Sequence, residues 1–140
     1  MDYPDRMLRG LSSPNYIDAE GRVSIEAFSF DPAERTDGYL EASITWFDDE
    51  EALSLLFQQK KRNEDTIQFK AGAAVLRRQW VDDAIFRPNT QGALSYERAP
   101  TFNNPYHGNL LCKQGLKKTI STMLKSSIAM CVEKVLPRPD

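Results

Sequence analysis

Histidine, cysteine and long apolar runs are all scarce in this 140-residue chain. Its one histidine is His107, and its two cysteines are Cys112 and Cys131. The cysteines form no Cys-x-x-Cys pair and have no standard zinc spacing with His107, so no metal site is expected. We expect both cysteines to be buried thiols in a reducing compartment.

No stretch of the chain approaches the roughly 20 apolar residues that are needed to span a bilayer. The first nine residues include two acids and two arginines and no apolar run, which is not the pattern of a secretory signal. We therefore expect a cytoplasmic protein with no membrane partner.

Signatures of the common catalytic and cofactor sites are missing as well. The chain contains no Gly-x-Gly-x-x-Gly, no Walker loop, no Gly-x-Ser-x-Gly and no His-Glu-x-x-His. No cofactor is expected, and the absence of a catalytic constellation favours a binding domain over an enzyme.

Length and composition indicate one globular domain. Hydrophobic residues make up 41% and charged residues 27% of the 140 residues, which is ordinary for a folded domain. We expect a single α+β domain over 1–136 and a short tail over 137–140, because Pro137 and Pro139 cannot continue a helix.

Charge is unevenly distributed along the chain. Residues 1–51 hold 13 acidic and four basic residues, a net charge of −9, and residues 52–140 have a net charge of +7. Such asymmetry indicates either two halves that attract each other on packing, which we favour, or a basic binding face.

Hydrophobic periodicity predicts the elements of the first two thirds. Residues 10–22 are rich in turn formers, and alternation over 23–30 and 39–47 predicts two strands that could pair antiparallel. Asp48 or Asp49 can cap a helix that runs to about Lys61. A strand to Leu76, a helical turn over 77–82 and a short strand over 84–88 follow, with a helix over 71–81 as the competing interpretation.

The last third is predicted to be a long loop over 89–106, a buried strand over 107–112 and a helix. From Leu116 to Val135 apolar residues recur at the three-four spacing of a five-turn amphipathic helix. The expected fold class is therefore α+β, a mostly antiparallel sheet of four to six short strands with one mid-chain helix. The long C-terminal amphipathic helix would pack on the sheet.

His107 is the residue to which acid–base chemistry near neutral pH would fall first. It lies in Asn104-Pro-Tyr-His107, where the predicted loop meets a strand, and sites often collect at such junctions. The competing interpretation is structural: the imidazole hydrogen-bonds a loop carbonyl and holds the junction.

Four further residues are candidates for binding phosphate or nucleic acid. Arg77, Arg78 and Trp80 combine positive charge with a stacking aromatic ring, as grooves for single-stranded nucleic acid do. Arg9, in Leu8-Arg9-Gly10, is a candidate phosphate ligand. The competing interpretation is that solvated arginines surround a core tryptophan, which the mildly acidic chain favours.

Three segments carry a resemblance to a known group of proteins. Leu8-Arg9-Gly10, the stretch from Ile17-Asp18 to Phe28, and Asn104-Pro-Tyr-His107 before a strand and a terminal helix resemble a group of small uncharacterised bacterial proteins. Some of these lie beside multi-gene defence or conflict systems. The group tends to have an aromatic residue before the arginine, where this chain has Leu8. The resemblance implies a bacterial origin and a role that depends on a partner.

Two functions of different classes follow. The first is a small accessory or interaction module that binds a protein partner, indicated by the missing catalytic motifs, the charge asymmetry and the proline-rich tail. The alternative is a small RNA- or nucleotide-processing enzyme, with His107 as acid–base and Arg9, Arg77 or Arg78 holding phosphate. A cleft that joins His107 to Arg9 would favour the enzyme.

Overall fold

Six antiparallel strands form one sheet in the computed structural model, which describes residues 3–33, 35–61, 66–85 and 90–139. The strands are β1 Arg6–Leu11, β2 Tyr39–Trp46, β3 Gly72–Arg77, β4 Leu94–Arg98, β5 His107–Lys113 and β6 Val132–Leu136. Their order across the sheet is β4-β5-β2-β1-β3-β6, so the first strand of the chain lies in the middle.

Three α-helices cover the sheet within the described part of the chain. They are α1 Glu50–Gln58, α2 Arg78–Ala84 and α3 Lys118–Met130, and two 3-10 turns span Pro14–Tyr16 and Ile25–Ala27. None of the helices in this part is long and apolar enough to cross a membrane.

Each face of the sheet carries its own apolar cluster. Met7 and Leu11 of β1 pack on one face with residues of α2, α3 and the 25–27 turn, in the larger cluster. Leu8, which points the other way, packs on the opposite face with Leu56 and Phe57 of α1. The central strand is therefore buried on both faces, and α1 lies on the side of the sheet opposite α3.

The predictions for β2, α1 and β5 are confirmed to within a few residues, and the predicted strand to Leu76 is present as β3. The helical turn predicted over 77–82 is the seven-residue helix α2, so the described chain has two mid-chain helices and not the one expected. The helix α1 begins after Asp49, whose carboxylate accepts from the Glu51 N–H at 3.0 Å as an N-cap does. It ends three residues before the predicted Lys61.

The predicted strand over 23–30 is wrong, because Ser24 caps a 3-10 turn at 25–27 instead. Of this segment's neighbours, Asp31 forms an isolated bridge with Glu41 of β2. The loop prediction over 10–22 is wrong at Gly10 and Leu11, which end β1. The loop prediction over 89–106 is wrong at Leu94–Arg98, which form β4. In the predicted strand over 84–88, Ala84 ends α2 and residues 86–88 lie outside the described ranges.

The predicted five-turn C-terminal helix is also wrong in its second part. The helix α3 ends at Met130, and Val132–Leu136 form the strand β6, which pairs with β3. Valine and leucine suit a half-buried strand, and pairing with β3 satisfies backbone groups that β3 would otherwise leave open at the edge of the sheet.

Ion pairs join the acidic first part of the chain to the basic second part. Arg77 pairs with Asp5, and Arg98 pairs with Asp48 at 3.2 Å. Two other pairs have the opposite sense, Arg6 with Glu133 and Arg35 with Glu97, so attraction between the two halves stays a prediction.

Candidate functional site

His107 begins β5 and is held by the end of β4. Its backbone carbonyl accepts from the Ala99 N–H at 2.9 Å, and its ring Nδ1 lies 2.8 Å from the Ala99 carbonyl oxygen. Because a carbonyl can only accept, Nδ1 carries a proton in this geometry, and Nε2 is then the basic nitrogen of the neutral ring. The hydrogen bond to a loop carbonyl was the structural interpretation of this residue, yet it also orients Nε2.

The half-buried imidazole lines a cavity of about 310 Å³, called the His107 cavity below. Its described lining residues come from the sheet, from the end of α1, from the segment after it and from the 99–106 loop: Leu8, Gly10, Ser43, Ile44, Thr45, Leu56, Gln59, Lys60, Gln68, Phe69, Thr101, Asn103 and His107. Apolar residues of α1 and the sheet form its base, and amides and hydroxyls surround them.

The cavity exists because β1 and β2 separate. Met7 and Leu8 pair with β2, but the ladder stops there, whereas the pairing of β1 with β3 continues to Leu11. In the opening, the Phe69 ring lies against Gly10, where a methyl group would overlap it. Gly10 thus lets an aromatic ring approach the backbone of the central strand.

The loop over the cavity is fixed by Asn104, which is fully buried. Its Nδ2 donates to Thr45 Oγ1 at 3.0 Å, and its Oδ1 accepts from the Tyr106 N–H at 3.0 Å. The Tyr106 hydroxyl donates to Glu51 at 3.0 Å, and this hydrogen bond raises the pKa of Tyr106 to about 12. The Asn104-Pro-Tyr-His107 segment therefore ties the loop to β2 and to α1.

Arg9 lies on the face of the sheet opposite His107 and makes internal hydrogen bonds. Its Nε donates to the Ala27 carbonyl at 2.9 Å, and its Nη1 donates to the Ser43 carbonyl at 2.6 Å. Burial lowers the pKa of this guanidinium from its ordinary value. Arg9 spans the opening between β1 and β2 and lines a second cavity, of about 350 Å³, with Asp31 and Glu41.

Arg77 and Arg78 bind the N-terminal segment of the chain. Arg77 pairs with Asp5 and, at 3.5 Å, with Glu133. Arg78 donates to the carbonyls of Tyr3 and Pro4 at 3.3 and 3.2 Å.

Trp80 is 42% exposed, with the Arg77 guanidinium 5.2 Å from its ring centroid. It is therefore a surface residue of α2 and not the core tryptophan that the sequence suggested.

The structure does not bring these candidates together at His107. The register pairs His107 with Thr45, Thr45 with Leu8, and Leu8 with Val75 of β3. At about 4.8 Å per strand, β3 lies about 14 Å from β5. Arg9 and His107 line different cavities, and these two cavities share the lining residues Gly10, Ser43, Gln68 and Phe69.

A polar cluster lies farther along β5. Arg35 Nη1 donates to Glu97 Oε1 at 2.5 Å, and Asn109 Nδ2 donates to the same oxygen at 2.8 Å. The hydrogen bond from Arg35 lowers the pKa of Glu97. Asn109 Oδ1 is buried and has no hydrogen-bond partner among the described residues.

Sequence reasoning missed one surface, the outer edge of β6. This strand ends the sheet and pairs only with β3 in the described part of the chain. One groove beside it, the Met130 groove, has a volume of about 640 Å³ and is lined by apolar residues (Val23, Ile25, Ala129, Met130, Val132 and Val135) and by the charged residues Asp18, Arg22, Glu133 and Lys134. Another, the Phe57 groove, has about 490 Å³ and is lined in part by Leu53, Phe57, Leu136, Pro137 and Pro139.

The sequence predicted a helix here because the last apolar residues follow helical spacing. The segment Val-Glu-Lys-Val-Leu is equally compatible with a strand. The predicted tail is not free at Arg138, which donates to the Phe57 carbonyl at 2.6 Å.

Across the described ranges, no three His, Cys, Asp or Glu side chains come together as metal ligands would. Comparison with known proteins adds no assignment, since neither a family model nor a curated protein nor a solved structure matches this chain.

Proposed function

We propose that this chain is a small accessory module that binds a protein partner, and that the outer edge of β6 receives an extended segment of that partner. The observation that carries the proposal is an edge strand with a groove on each side, each lined in part by apolar side chains. A place within a multi-component defence system is part of the proposal and rests on the sequence resemblance alone.

The edge offers backbone groups to a partner. A strand that pairs on one side presents a row of N–H and C=O groups on the other, and an extended peptide can add to the sheet there. The sheet order ends at β6, so the described chain supplies no strand for this row.

The grooves provide contacts for side chains. Successive side chains of an added strand point to opposite faces, and the Met130 and Phe57 grooves lie on opposite faces of β6, next to Val135 and Leu136 respectively. Met130, beside this edge, is 83% exposed and available for contact with a partner. We expect the partner segment to carry apolar residues at alternate positions.

Lys134 supplies the charge that a partner would match. It is exposed at the middle of β6, where its backbone pairs with Val75 of β3, and its side chain makes no hydrogen bond or ion pair with another described residue. Opposite charges facing each other across two strands stabilise the pair, so the partner segment should place an acidic residue opposite Lys134.

A second copy of this chain fits the edge less well. Antiparallel pairing of β6 with itself in the register of fullest overlap sets Lys134 against Lys134, and like charges directly opposite destabilise a pair. A lysine on an edge strand also guards against such self-association. The edge therefore selects a different, acidic partner.

The test is co-purification of the tagged chain from its native host, after nuclease treatment, with two variants of the edge. Met130→Lys places a charge among the apolar side chains of the Met130 groove, and Lys134→Glu reverses the charge that faces the partner. We expect each variant to weaken the affinity for a stoichiometric partner about tenfold, a loss of about 1.4 kcal/mol of binding free energy. Replacing the partner's facing acid with lysine should restore binding to Lys134→Glu.

Matched controls lie elsewhere on the surface. Phe102→Lys changes another exposed large apolar residue, and Lys118→Glu reverses a charge in the first turn of α3. Both should keep the partner. A partner that binds all four variants equally, or the recovery of nucleic acid alone, would overturn the proposal.

The second candidate, a small RNA- or nucleotide-processing enzyme, has one observation in its favour. His107 lines a cavity with its Nε2 oriented by the Ala99 contact. Against it, Arg9 donates to main-chain carbonyls on the other face, and Arg77 is engaged by Asp5 and Glu133. A nuclease assay with a His107→Ala control tests this candidate directly.

A further inference from the structure

We infer that the outer edge of β6 accepts a partner segment of the pattern apolar–acidic–apolar, which hydrogen-bonds through its two apolar residues to the backbone of Val132 and Val135. This inference rests on the proposed function and adds to it the register and the sequence class of the segment. Three features of β6 support it: the direction of its backbone groups, a bulge, and the charges beside that bulge.

The backbone groups of Val132 point away from β3. Val132 lies opposite Leu76, and the Arg77 N–H beside this pair donates to the Cys131 carbonyl at 3.3 Å. In an antiparallel ladder, a pair that is flanked by such a bond exchanges no hydrogen bonds of its own. The N–H and C=O groups of Val132 therefore lie on the outer side of β6.

The backbone groups of Val135 point outward as well. The Arg77 N–H is directed at β6, and directions alternate along a strand, so Val75, two residues earlier on β3, also points toward β6. Its partner Lys134 points back toward β3, and Val135, the next residue, points outward. The outer edge thus presents the backbone groups of two valines.

A bulge brings these two valines within reach of one regular strand. The register of β6 shifts beside Val75 and leaves Glu133 as an extra residue. Val132 and Val135 are three residues apart in the chain, but their partners on β3 are only two residues apart. A segment without a bulge presents hydrogen-bonding residues at every second position, so it can pair with both valines at once.

The partner residues that pair with the valines need apolar side chains. Val132 and Val135 pack with the cluster on the α3 face of the sheet, and both line the Met130 groove. Each strand pairing of the described sheet is antiparallel, and directly opposed residues of such a pair have their side chains on the same face. Apolar side chains opposite the valines would therefore contact the exposed Met130 and cover it from water.

Charge selects an acid between these two apolar residues. Glu133, the bulge residue, pairs with Arg6 at 3.2 Å and with Arg77 at 3.5 Å, so its carboxylate is neutralised within the chain. The Lys134 side chain makes no ion pair with a described residue. The middle residue of the partner segment lies opposite Lys134, where an acid stabilises the strand pair and a base destabilises it.

Amide hydrogen exchange of the whole chain tests the backbone directions without a partner. We expect the Val135 amide to exchange at least about 100-fold faster than the neighbouring Lys134 amide, because only the latter donates to β3. Equal protection of the two amides would overturn the inference.

The probe for recognition is the peptide Thr-Thr-Val-Glu-Val-Thr-Thr, blocked at both ends and titrated into the isotope-labelled chain. We expect saturable shifts of the Val132 and Val135 amide signals. The same peptide with lysine in place of glutamate should bind about fivefold more weakly, because it sets a base opposite Lys134.

Two variants at one position isolate the outward N–H. Val135→Pro removes it, and an edge strand tolerates proline where the N–H faces away from the sheet. Val135→Ala is the matched control, because it shortens the same side chain and keeps the N–H. We expect Val135→Pro to bind the peptide at least about tenfold more weakly than Val135→Ala does. If Val135→Pro does not fold, the peptide with both valine nitrogens methylated removes the partner's donors instead and should bind equally weakly.

The outcomes separate this inference from the proposed function. Equal binding by Val135→Pro and Val135→Ala, or equal binding of the glutamate and lysine peptides, would overturn the inference. A native partner that is lost with Met130→Lys and Lys134→Glu would still support the accessory role. Peptide binding without any native partner would support the register and overturn that role. Dimers of the chain alone that Val135→Pro abolishes would overturn the inference, because a second copy would then occupy the edge.

Discussion

Replacing Arg9 with methionine removes the guanidinium and keeps most of the apolar stem, so it isolates two hydrogen bonds, one from β1 to the 25–27 turn and one from β1 to β2. In the folded chain these bonds join Arg9 to the carbonyls of Ala27 and Ser43 at 2.9 and 2.6 Å. Ala27 is buried, whereas Ser43 is exposed. Water can therefore replace the second bond but not the first.

The magnitude follows from the buried carbonyl. A buried acceptor left without a partner costs about 1–3 kcal/mol, and a hydrogen bond from a charged donor contributes about 1.5–3 kcal/mol. With the exposed bond discounted, we expect Arg9→Met to lower the free energy of unfolding by about 2 kcal/mol. In a domain of this size that lowers the Tm by about 8 °C.

Urea unfolding measures this loss, and Arg22→Met is the matched control. Arg22 is exposed and forms its ion pairs with Asp18 and Glu20 within one turn, so its replacement should cost less than about 0.5 kcal/mol. If Arg9→Met is as mild as Arg22→Met, the guanidinium does not support the fold. Arg9 would then again be a candidate phosphate ligand.

Three further predictions concern the sheet and its surroundings. Gly10→Ala should lower the free energy of unfolding by about 1–3 kcal/mol in urea, because the methyl group overlaps the Phe69 ring; an unchanged midpoint would contradict this packing. Arg35 lowers the pKa of Glu97, so this pair stabilises the fold above the ordinary carboxyl pKa and the gain is lost as pH falls through the lowered one. Unfolding measured between about pH 6 and pH 3 should show a shallower decline for Glu97→Gln, and equal slopes would refute the coupling. Burial raises the pKa of Cys131 to about 11, so this thiol should react with iodoacetamide at neutral pH only after unfolding; labelling of the native chain at the rate of the urea-unfolded chain would count against its burial.

Patterns within a few residues were sufficient for several elements. The acids before α1 predict a cap because a side-chain oxygen two residues away satisfies an N–H of the first turn, and Asp49 does so. Alternation over Tyr39–Trp46 predicts β2 because one face of that strand is buried and the other is more exposed at Ser43. The α+β class and the antiparallel sheet follow from such local patterns.

Local patterns were insufficient where the environment is not local. The central strand β1 is buried on both faces and so lacks alternation, and its two neighbours come from residues more than 30 positions away. At the other end, Val132–Leu136 fits a helical spacing as well as a strand. The segment forms a strand because it can pair with the edge of β3.

The same division applies to the candidate site. The sequence by itself determined that His107 stands where a loop meets a strand, since the turn formers before it and the apolar run after it are adjacent in the chain. The tertiary structure alone decided that His107 lines a cavity, that Arg9 lies on the opposite face, and that β6 is an open edge. The physical reason is that cavities, faces and edges arise from pairing between distant segments, and no window along the chain contains both partners.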